Sequence, residues 1–159
     1  MNKNIKSQAA LEFLTTYGWA FLVILIMIGT LAYFGILSPG KLLPNRCNFG
    51  SEFQCLDYQT SATASTFKIR LKNAVGEPID VSSMTLSTES TTAYACTAPA
   101  NPAGWKAGEI KDLTWTSCSG GGLVVGEKGK VLITIRYNTV SSGSSYAKDV
   151  KGEVLSTII

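Results

Sequence analysis

Two sets of residues in this chain have the types and spacing to do chemistry. The first is Glu12, a carboxylate set against an apolar run. No other charged residue occurs between it and Lys41, and Trp19 to Leu37 contains only apolar residues, Gly and one Thr. A carboxylate beside such a run is costly to bury and is therefore a candidate for pairing with a positive group in an apolar setting. Its plainer reading is a solvated charge near the start of a helix, favoured there by the helix dipole. The second set is the four cysteines, Cys47, Cys55, Cys96 and Cys118. They form no CxxC pair, and the chain contains no His, so neither a zinc site nor the commonest general base is expected.

Four thiols in a chain with a membrane-length apolar segment read as two disulfides in an oxidising compartment. Sequence leaves three pairings open. The local one, Cys47 with Cys55 and Cys96 with Cys118, is expected because each pair brackets a short stretch containing a turn. The longer loop would contribute about 3 kcal/mol on a chain-entropy estimate.

Other chemistry finds no foothold. Lys and Arg number 14 against 11 Asp and Glu, and the positives are scattered along the chain. No basic stripe forms, and nucleic acid is not an expected partner. Gly120 to Gly122 lack the pattern of a phosphate loop and precede a strand signal. Asp57, Asp80, Asp112 and Asp149 are too dispersed for a calcium loop. With no nucleophile motif and no paired carboxylates at readable spacing, neither an enzyme nor a bound cofactor is expected. The Ser and Thr residues from Thr85 to Thr92 could carry O-linked sugars, but their plainer role is in strands and turns. Trp105 and Trp115 are expected in the core and not as ligand-stacking residues.

These residues need elements to hold them. Gln8 to Leu37 would make a helix of roughly 45 Å at ~1.5 Å per residue, longer than the ~30 Å apolar layer of a bilayer. It contains no Pro, and Pro39 with Gly40 ends it. Gly18, Gly29 and Gly35 would let neighbouring helices approach closely. Tyr17, Trp19, Tyr33 and Phe34 flank its two ends as a membrane belt would. Lys3 and Lys6 before the run are matched by Lys41 and Arg46 after it, so the basic residues do not orient the chain. Oxidised cysteines do, by placing everything beyond the helix outside the cell.

From Phe49 onward the apolar period falls from 3.6 to 2. Phe67, Ile69 and Leu71 alternate with Lys68, Arg70 and Lys72, and Val131, Ile133, Ile135 and Tyr137 alternate with polar neighbours. Further strands are expected near 53–60, 79–87, 91–97, 110–118 and 149–158, with a bulge at Ser82 and Ser83. Gly- and Pro-rich turns separate them. Seven short strands so spaced predict an all-β, immunoglobulin-like sandwich head, and with the helix an α+β chain.

The run KSQAALEFLTTYGWA, the unbroken hydrophobic helix, and LPNRCNFGSEFQC beyond it together resemble the archaeal type IV pilins, whose precursors carry a class III signal peptide. Gln8 and Glu12 match the first and fifth residues of the mature family members. Ala10 stands where Ser is frequent. The resemblance implies cleavage between Ser7 and Gln8 by a membrane prepilin peptidase, followed by assembly in which Gln8 and Glu12 take part. It implies a leader 1–7, a helix 8–37 that is first a membrane anchor and then filament core, a connector 38–46 and a sandwich head 47–159. The expected partners are the membrane before assembly, the pilus assembly machinery, and other copies of the chain in a helical homopolymer. The expected place is the cell membrane for the precursor and the cell surface for the filament, where adhesion is the expected role.

Residues 8 and 12 are one helical turn apart, so an amine released at Gln8 and the Glu12 carboxylate would share a face. At ~4 Å and an effective dielectric near 20 such a pair is worth about 4 kcal/mol before desolvation. The competing expectation is a monomeric sandwich tethered by the same helix and serving as an extracellular binding domain. An ordinary anchor needs neither Gln8 nor Glu12.

Overall fold

The computed structural model describes the backbone of residues 5–34 and the whole of residues 43–159, with side chains in the first stretch from Leu11 onward. The chain divides into two compact units, one ending at Leu42 and the other beginning at Leu43. The first contains α1, Ile5–Tyr33. Its backbone is helical through the junction of Ser7 and Gln8, so the described helix begins three residues before the expected start. With the peptide bond between them intact, nothing in IKSQ breaks helical hydrogen bonding. Residues 35–37, expected as the last part of the helix, and 38–42 of the connector lie outside the described residues, as do residues 1–4 of the leader.

The second unit is a two-sheet antiparallel sandwich. Its strands are β1 (Arg46–Asn48), β2 (Phe53–Ser61), β3 (Thr66–Asn73), β4 (Ile79–Thr88), β5 (Tyr94–Thr97), β6 (Ile110–Gly120), β7 (Lys128–Thr139) and β8 (Lys148–Thr157). One sheet has the order β1-β8-β7-β4 and the other β2-β3-β6-β5. The layering is that of immunoglobulin-like sandwiches, with a strand order of its own.

Alternation places the core. Phe67, Ile69 and Leu71 of β3 are buried between exposed Lys68 and Arg70, and Val131, Ile133, Ile135 and Tyr137 of β7 face them from the other sheet. Each such side chain contributes ~1.5–3 kcal/mol on burial. Trp105 and Trp115 are fully buried in this core. Phe53 packs on Trp105 at 5.4 Å between ring centroids and edge-on to Tyr137 at 5.6 Å, while Phe67 meets Trp115 at 5.5 Å. The phase slip in β4 is a bulge: Val81 pairs with Tyr137 and Ser83 with Arg136, leaving Ser82 as the extra residue. Val81 and Met84 can then both point inward although three positions apart.

Several polar groups inside the sandwich are tied to backbone or to each other, while the buried Trp115 Nε1 has no partner among the described residues. The Thr60 and Ser156 hydroxyls meet at 2.9 Å between β2 and β8, joining the two sheets. Buried Asn73 donates through Nδ2 to the carbonyls of Glu77 and Trp105 and accepts from the amide of Val75, each at 2.9 Å. It closes the NAVGEP turn and holds the Trp105 segment against β4, where Ile79 and Trp105 exchange backbone hydrogen bonds.

Candidate assembly site

On α1, every turn from Leu11 to Phe34 presents large apolar side chains to the outside. Leu14, Trp19, Phe21, Leu25 and Ile28 are all more than half exposed. Leu11–Tyr33 is long and apolar enough to cross a membrane. A helix apolar all round needs an apolar environment, either lipid or other helices. Two of its threonine hydroxyls are satisfied from within. Thr15 Oγ1 donates to the carbonyls of Leu11 and Glu12 at 3.0 and 3.1 Å, and Thr30 Oγ1 to that of Met27 at 2.8 Å. That leaves Glu12, exposed on the helix surface, as the one charged side chain between Leu11 and Phe34.

The backbone puts Gln8 one turn before Glu12, on the same face. The Gln8 side chain, and with it the expected pairing, lies outside the described residues, as does that of Ser7. Gly18 and Gly29 are eleven positions apart, three turns and about 20°, so they too share a face. A Cβ added at either would meet no atom within 4 Å. Nothing within the described chain requires Gly there, and the space is open to a neighbouring backbone.

The head is fastened where the chain enters it. Arg46–Asn48, expected as the connector's end and the head's first residues, forms β1 and pairs with Glu153–Leu155 of β8. Three residues without alternation carry no strand signal, and their pairing depends on β8, a hundred positions away. Asn45 accepts a hydrogen bond from Lys128 Nζ. Arg46 pairs with Glu153 at 2.9 Å, Glu153 with Lys130 at 3.3 Å, and Lys130 with Glu89 at 2.7 Å, a ladder of charges across β1, β8 and β7. Carboxylates on two sides, Glu89 first, raise the Lys130 pKa above its usual value. Disulfides join Cys47 to Cys55 and Cys96 to Cys118, the local pairing of the three. The first crosses from one sheet to the other, and the second links neighbouring β5 and β6.

A separate shallow cleft of about 450 Å³ lies on the outer face of the β2-β3-β6 sheet, lined by Asp57, Gln59, Lys68, Arg70, Asp112 and Thr114 among others. Its floor is a two-pronged ion pair, Arg70 Nε to Asp112 Oδ1 at 2.6 Å and Nη2 to Oδ2 at 2.9 Å. The bond from Arg70 holds the Asp112 carboxyl below its ordinary range. The two side chains satisfy each other in this pair. Among the described residues, no three His, Cys, Asp or Glu side chains gather where they could hold a metal ion.

Comparison with protein-family models, with curated proteins and with solved structures finds no match for this chain.

Proposed function

We propose that the chain is the structural subunit of a helical surface filament of the type IV pilin kind. The observation that carries this reading is the single carboxylate of Glu12 at one end of a helix that is apolar on every side, joined to a disulfide-bonded sandwich. An anchor in lipid needs the apolar length alone. A filament core needs the same length together with a charge that can pair in the dry interior and fix each subunit against the next. The amine that would pair with it is created by cleavage between Ser7 and Gln8. Gly18 and Gly29 on one face suit close helix packing, and the bonded cysteines suit an extracellular head. Subunits related by a screw would stack without closing into a ring.

A second reading, a monomeric tethered binding domain, draws on the cleft over Arg70 and Asp112, where Lys68 and Gln59 make no side-chain hydrogen bond or ion pair among the described residues and could meet a polar ligand. Intact-mass analysis of the chain recovered from sheared cell-surface material separates the two. The filament reading expects polymer whose subunits begin at Gln8. Chains that start at Met1 and stay monomeric in the membrane fraction would overturn it in favour of the tethered domain.

A further inference from the structure

The bond that the filament reading requires to be cut lies inside helical backbone. α1 begins at Ile5, so the Ser7–Gln8 junction is the third peptide bond of the helix. In an α-helix the carbonyl of residue 7 accepts from the amide of residue 11, which folds that carbonyl into the helix wall and away from an attacking water. Hydrolysis adds one water across the carbonyl, breaks the C–N bond, and leaves a carboxylate on Ser7 and an amine on Gln8. A peptidase therefore needs the first turns open before the chemistry begins, and cleavage of such a site follows the population of the open form.

We infer that residues 5–10 of α1 are a hinge. They open to present the Ser7–Gln8 bond to the peptidase, and close again from Gln8 onward once the leader has left. Charge favours the opening. The first turn of α1 holds Lys6 and no acidic residue, the wrong sign for the positive end of a helix dipole. A helix restarted at Leu11 would have Glu12 in its first turn, which is the favoured sign. Leu11 is also where the membrane-length segment begins. Up to Ala10 a freed amide or carbonyl can turn to water, whereas farther on, within hydrocarbon, each would be left unpaired. The Thr15 hydroxyl, bonded to the carbonyls of Leu11 and Glu12, ties down the turn at which opening stops.

Closure has its own use. The amine made at Gln8 shares a face with Glu12 only when residues 8–12 are helical again. Ala9 and Ala10, of the strongest helix-forming type, occupy that stretch and drive the closure. The same turns must thus be open for cleavage and closed for assembly. The inference rests on the cleavage that the filament reading calls for, yet it can fail separately.

The test uses the full chain in detergent with a prepilin peptidase at sub-saturating concentration. It compares the parent with Ala9→Gly, Ala10→Gly and, as a control outside the hinge, Ala20→Gly. Two rates are read: release of the leader, and hydrogen exchange at the amides of residues 9–12. Gly in place of Ala should raise the open population about fivefold at either hinge position. Both rates should therefore rise together by about that factor, and Ala20→Gly should change neither. Faster exchange with cleavage unchanged or slower, cleavage that changes without exchange, or an equal response from Ala20→Gly would overturn the hinge. A parent chain cut between Ser7 and Gln8 at a rate blind to Gly sinks this inference alone and leaves the filament reading standing. A parent that is never cut there removes the processing step, and the hinge falls with it.

Discussion

Cys47 lies on β1 of one sheet and Cys55 on β2 of the other, so the bond between them locks the two layers together within a few residues of the chain's entry into the head. A force arriving through the helix meets the Asn45–Lys128 hydrogen bond, the Arg46–Glu153 pair and then this covalent bond, before any core side chain is reached.

Replacing both cysteines, Cys47→Ser with Cys55→Ser, should cost ~2–4 kcal/mol of head stability and free β1 first, since three residues of ladder cannot hold alone. Denaturant unfolding of the full chain in detergent, with hydrogen exchange at Arg46 to Asn48, reads both effects. Unchanged exchange at β1 would show that its ladder, and not the disulfide, holds the entry.

Gly152 on β8 lies against the ring of Phe49, and a Cβ there would overlap the ring carbons. Its backbone is ordinary strand, so the need for Gly is one of space. Gly152→Ala should destabilise the head by ~1–3 kcal/mol through overpacking. Phe49→Leu in the same chain should recover part of the loss by vacating the ring's position. Melting temperatures of the three variants check this, and an Ala variant as stable as the parent would contradict the packing.

The stability of the head should respond to pH at both extremes. Asp112, held low chiefly by the Arg70 hydrogen bond, and Glu109, held low chiefly by the backbone amide of Lys106, both have folded pKa values below their unfolded ones. Their contribution is present above the unfolded carboxylate range near ~4 and is lost as pH falls through the folded values. Lys130 runs the other way. Its folded pKa is raised by Glu89 and Glu153, so its contribution is complete below ~10.4 and is lost as pH rises through the folded value. Melting temperature should be flat through neutrality and fall at both ends. Asp112→Asn should blunt the acid arm and leave the alkaline arm alone; a variant with the parent's acid arm would remove the Arg70 pair from the account. Both effects should be small, because these groups are solvated.

Much of this architecture was legible in the sequence because it depends on local periodicity. Phe67 to Leu71 and Val131 to Tyr137 announce half-buried strands, the slip at Ser82 announces a bulge, and the run after Glu12 announces the helix. The parts that were not legible depend on partners far along the chain. β1 exists because β8 offers it an edge and Cys55 a bond. Leu56 is bulged out of β2 because Cys55 and Asp57 must pair with adjacent residues of β3. Asn73 could be placed at a turn by its position before AVGEP, but its hold on Trp105 follows only from the folded path. Of the residues proposed for assembly, Glu12 stands out in the sequence by its isolation alone.

The account turns most directly on Glu12. If its carboxylate pairs with the amine of Gln8 in its own or a neighbouring subunit, Glu12→Ala strands an ammonium in an apolar bundle, at ~3–5 kcal/mol for each subunit. The apolar length from Trp19 onward and the sandwich are untouched, so insertion and folding should be normal. The measurement is the amount of variant in the membrane fraction against the amount in sheared extracellular filaments, in cells that lack the parent chain. The account predicts parental abundance in the membrane and a severe loss of filaments. A normal yield of filaments from Glu12→Ala cells would contradict it.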